Sequence, residues 1–204
     1  MSRLTQTLGL LYRMADDDIR TLADEIYAMR TRSWQTAITL EARTAGCNQA
    51  VRSPGADSRL ELRRASDSDA AQIARTHNRD LESQIERLYA ANARGNRQYY
   101  YANLDTWSRQ RSAWKRTSIA LNTAVTTSEA ARREFRSRNY SALLRYVFSG
   151  PPPSCADCSR RFAAGVVNQE YVDKFPCPRH INCPHSWQIV NRPRVPCSEL
   201  WVGE

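Results

Sequence analysis

Cysteine and histidine crowd the end of this 204-residue chain: five of the six cysteines and two of the three histidines fall after Ser154. They read Cys155-Ala-Asp-Cys158, then Cys177-Pro-Arg-His180-Ile-Asn-Cys183-Pro-His185, then Cys197. Two thiolates separated by two residues reach one metal from a single tight turn, and zinc takes four such ligands in a tetrahedron. Cys155, Cys158, His180 and Cys183 are the favoured set, because they repeat that spacing on both sides. Cys177 with His180 has it too, and Cys183 with His185 is a third pairing, so spacing alone leaves the second pair open. A fully ligated site has no open position, so the zinc expected is structural. Disulfides rank below metal, because the sequence carries no signal-peptide pattern and a reducing compartment is expected.

Catalytic arrangements are harder to find. A zinc deaminase needs His-x-Glu ahead of its cysteine pair. His77 is followed by Asn78-Arg79 instead, and reads as a core histidine on an apolar helix face. His180, Asn182, His185 and Asn191 offer the residue types of an HNH nuclease but not its order. The expectation is a protein that is not an enzyme.

The elements that must position the cluster divide at Gly150, where three consecutive prolines begin. Before it there are four glycines and one proline, and the pattern is helical. Asp16–Asp18 open a helix running to about Thr44, with Ile19, Leu22, Ile26 and Met29 on one face. Residues 46–58 contain Ser53-Pro54-Gly55 and read as a loop. Ser66 and Asp69 resemble a capping box for a second helix ending near Gly95. A third is expected over 98–125, burying Trp107 and Trp114, and a fourth from Thr127-Ser128-Glu129. Prolines at 176, 178, 184, 193 and 196 exclude long regular elements from the rest. The fold expected is mainly α: a helical domain over 1–149, then a small loop-rich zinc-binding module over 150–204.

Charge follows the same division. The net charge is +9, with 28 arginines and two lysines, Lys115 and Lys174. From Gly150 onward six basic residues face five acidic ones, so the helical part carries +8. Arginine's planar fork suits phosphate and carboxylate. Arg132, Arg133, Arg136 and Arg138 form a basic helix face, read first as solvated and second as a nucleic-acid surface. Tyr99-Tyr100-Tyr101 beside Arg94 and Arg97 could stack bases, but consecutive residues point to different helix faces, which favours packing. No apolar run approaches the ~18 residues of a membrane span.

The stretch from Thr127 resembles the phage minor head protein family typified by the Mu F protein. Ser128-Glu129-Ala130-Ala131-Arg132 looks like that family's helix opening, and Tyr146-Val147-Phe148 leads into the Cys155/Cys158 pair. Phe162-Ala-Ala-Gly165-Val166-Val167 resembles its glycine-containing hairpin, and Pro178 to Trp187 its closing motif. Ile181 stands where the family has proline, and Pro184-His185 where it has Arg-Cys. The resemblance covers about 60 residues (127–187). It implies His180 and Cys183 as ligands, with His185 as a substitute. It also implies a structural protein of a tailed bacteriophage virion, made in the host bacterial cytoplasm. Such a protein acts in head assembly or at the portal and head–tail connection. Its expected partners are portal, capsid or neck proteins, further copies of itself, and packaged DNA through the arginine-rich helices. A zinc-stabilised nucleic-acid-binding protein is the alternative, although no base-reading helix stands out.

Overall fold

Three aspartates in the first turn suit the positive end of a helix dipole, and α1 runs from there over Asp16–Thr44. Gly46, at φ 84°, stops it: Gly46 N donates to Arg43 O and Cys47 N to Ala42 O, both at 2.9 Å, a Schellman turn. α2 covers Ala56–Ala91 and α3 covers Arg97–Asn139. A central strand β1 (Arg145–Ser149) follows, then α4 (Ala156–Ala163), β2 (Val166–Val167), α5 (Gln169–Lys174) and β3 (Ser186–Asn191). This computed structural model describes residues 13–91, 95–140, 144–152, 155–177, 184–191 and 195–204, with 112–114 and 116 as backbone only. The protein is mainly helical, and among the described residues no helix is long and apolar enough to cross a membrane.

Residues 145–149, expected within the helical part, form strand β1 instead, and two helix starts also differ from the sequence expectation. α2 begins ten residues before Ser66, just after Pro54-Gly55, with Asp57 in its first turn. Ser66 is fully buried mid-helix, and its hydroxyl donates to Leu62 O at 2.7 Å instead of capping. α3 is one helix of 43 residues, with no break at Thr127. No glycine or proline lies between Asn96 and Ser149 to stop it, and Thr123 and Thr127 are both 1% exposed on its packed side.

The chain forms two compact units. The first holds α1 up to Thr31, α2, and α3 up to Thr123. Leu22 and Ile26 are fully buried there with Met14, Ala23, Ala70 and Ala74, and Ile19 and Met29 pack against them. The α1 stripe is therefore a core face. Trp107 is half-buried against Leu81, Leu88 and Leu104, while the Trp114 side chain lies outside the described residues. Tyr100 packs on the same group, whereas Tyr99 and Tyr101 stay exposed. His77 is a core residue, 1% exposed. Its Nδ1 lies 3.1 Å from Arg111 Nη1, a donor only, so Nδ1 accepts and the ring is held as the Nε2–H tautomer. Arg111 and Lys115 both donate to Asp80. Burial alone would raise the Asp80 pKa, but these hydrogen bonds and charges outweigh it and hold the carboxyl below its ordinary value.

The second unit holds residues 32–55 and 124–204. Trp34 is buried in its core; the indole donates to Glu134 Oε2 at 3.0 Å and meets Trp201 edge-on at 6.0 Å. Arg52 N donates to Val202 O and Glu204 N to Ser53 O, both at 3.0 Å, tying the last residues to the post-α1 loop. Gly203, at φ 108°, allows this: a Cβ there would lie 2.7 Å from Ser53 O. The same closure brings Cys47 and Cys197 into a disulfide, with Cα atoms 5.5 Å apart. The expectation that cysteine serves metal rather than disulfides therefore fails for Cys197, whose partner lies outside the cluster.

The candidate metal centre and its sheet

The cluster is carried by a three-stranded antiparallel sheet in the order β2-β1-β3. Along β1 burial alternates, with Tyr146 and Phe148 at 1% and 2% exposure, as the two-residue strand period requires. Phe148 sits opposite Trp187 of β3, with ring centroids 4.9 Å apart. α4 and α5 cover this face. Phe162 of α4 meets Phe148 edge-on at 5.5 Å, Tyr171 of α5 meets Trp187 at 5.8 Å, and the Tyr146 hydroxyl pairs with Gln169. The module is thus an ordered sheet-and-helix unit as well as a set of loops.

Cys155 is the N-cap of α4, in extended backbone, and its sulfur accepts from Cys158 N at 3.4 Å. The sulfur thus caps the first turn of α4 through the amide three residues on. Cys158 is 1% exposed and Cys155 half-buried, and neither is in a disulfide. Both lie in the turn that opens α4. His180 and Cys183 lie outside the described residues. Among the described residues no three His, Cys, Asp or Glu side chains form a group able to hold a metal.

The two alternative ligands are placed. Cys177 is buried, and its Sγ donates to His185 O at 2.7 Å. His185 is 6% exposed, stacked on Phe148 at 5.1 Å and 13°. Its Nε2 lies 2.9 Å from Pro151 O, so Nε2 is the donor and carries the hydrogen. Gly150, at φ 151°, makes the ring's position possible, because a Cβ there would come within 2.5 Å of His185 Cδ2. Gly165, at φ 65°, turns the chain from α4 into β2, so the expected hairpin over 162–167 is a helix, a turn and a strand.

The basic face of α3 is mostly committed internally. Arg136 pairs with Glu41 at 2.8 Å, both side chains 7% exposed. Arg132 pairs with Glu129 at 2.6 Å, and Arg138 with Glu134 at 3.5 Å while lying over the Trp201 ring. The face expected to be solvated therefore has a buried member. The partner of Arg136 was hidden from the sequence because Glu41 lies 95 residues away.

A second feature of this unit had no sequence reading. Asp157, Arg160 and Arg161 of α4 with Tyr171, Lys174, Phe175 and Pro176 line a pocket of 370 Å³. Arg161 is 5% exposed and its guanidinium lies 5.9 Å over the Phe148 ring. The one available signal was Lys174 itself, one of two lysines among 30 basic residues. The chain matches no family model, no curated protein and no solved structure.

Proposed function

We propose that this chain is a non-enzymatic structural protein of a tailed bacteriophage virion, acting in head assembly or at the portal and head–tail connection. In this reading one structural zinc, held by Cys155, Cys158, His180 and Cys183, stabilises the C-terminal module. The observation that carries it is the order of elements from Ser128: helix, strand β1, the Cys155/Cys158 turn opening α4, the Gly165 turn, and β3 with Trp187. The Cys155/Cys158 turn, the Gly165 turn and Trp187 come in the order of the motifs through which the sequence resembles the Mu F-like minor head proteins, although α3 has no start at Ser128. The knuckle contact from Cys158 N to Cys155 Sγ suits a zinc thiolate, and the zinc would supply only cross-linking there. Cys177 lies beside this set, buried against the His185 carbonyl.

Three ion-paired arginines on α3 favour protein–protein assembly over a dedicated nucleic-acid surface. The test is mass spectrometry of gradient-purified particles before and after a high-salt wash. The protein should remain at fixed stoichiometry, because contacts that bury apolar surface resist salt better than phosphate contacts do. Absence from virions and procapsids alike would instead support the zinc-stabilised nucleic-acid-binding reading.

A further inference from the structure

We infer that the pocket between α4 and α5 binds a small phosphate ester through Arg161 and Lys174. Arg161 is 95% withdrawn from solvent, yet its Nε and Nη1 have no hydrogen-bond partner among the described residues. A buried cation is stable when an anion pairs with it, and the Phe148 ring supplies only a weak substitute. The surrounding charges select the anion. Arg160 is paired with Asp157, one turn back on α4. Arg161 and Lys174 are left as two positive charges on the same pocket wall. A phosphate monoester carries about −1.5 to −2 and matches them, whereas a carboxylate carries half that.

Size and lining limit the rest of the ligand. At 370 Å³ the pocket lies at the small end for organic ligands. Tyr171 and Phe175, with ring centroids 4.7 Å apart, give it aromatic walls for a flat ring such as a nucleobase. A mononucleotide is therefore the largest ligand class that the pocket suits. The site uses neither the proposed zinc ligands nor the virion assignment, so its failure and theirs are separable.

The test is calorimetric titration of the full chain with inorganic phosphate, adenosine monophosphate, adenosine, and a short 5′-phosphorylated DNA strand. Phosphate should bind with a dissociation constant of about 1 mM, and the monophosphate more tightly. Adenosine should not bind. Lys174 is exposed, so Lys174→Glu leaves the fold intact, and it should weaken the monophosphate by about tenfold or more. Arg161→Lys keeps the charge but loses the fork, and should weaken it similarly. Should Arg161→Lys fail to fold, Lys174→Glu alone decides. No saturable binding at about 10 mM, or equal binding to wild type and Lys174→Glu, would overturn the proposal. DNA binding that survives both substitutions, with no monophosphate binding, would also overturn it.

Discussion

At the scale of single residues, Cys155 and Cys158 lie in the one turn that opens α4. One turn sets both sulfurs, and the Cys158 amide already points at Cys155 Sγ. Metal binding and local folding are coupled where a small module depends on its ligands. Cys155→Ser should therefore release about one zinc per chain and make residues 150–204 sensitive to limited proteolysis, with residues 16–31 and 56–123 of the first unit unaffected. Metal analysis of freshly purified, reduced wild-type protein gives the decisive control: no zinc there rejects the site. Arg161 shows the opposite case. Beside Arg160 it looks like an ordinary exposed helix residue, and only the packing of α4 on β1 buries it.

At the scale of elements, amphipathic stripes and stop signals were legible where they are local. The α1 stripe and the Schellman stop at Gly46 follow from residues within a few positions of one another. Helix starts were less legible, because Ser and Thr serve as caps or as buried mid-helix residues depending on what packs around them. Thr127-Ser128-Glu129 reads as a cap, yet α3 passes through it. Ser128→Pro separates the two cases. Proline is accepted at the first position of a new helix but costs about 3 kcal/mol or more inside one. We expect a lowered urea midpoint and reduced helical circular dichroism. An unchanged midpoint would place a helix break at residue 127.

At the scale of the whole molecule, the Cys47–Cys197 bridge spans a sequence separation of 150 within the second unit. A cross-link of this kind stabilises by about 2–4 kcal/mol, largely through the unfolded chain. Cys47→Ser, or dithiothreitol on wild type, should lower the second unit's unfolding midpoint accordingly, read by Trp34 and Trp201 fluorescence. Equal midpoints with and without reductant would show that the bridge adds nothing. The sequence alone determined the mainly helical character of the chain, the core role of His77, and the Cys155/Cys158 turn. Each rests on residues close in the chain, whose periodicity or spacing acts within one element. Only the tertiary structure decided that Glu41 buries Arg136, that Cys197 meets Cys47, and that Arg161 lines a pocket with Lys174. Those partners are brought together by packing and backbone closure, and no local pattern encodes which distant side chain will be the neighbour.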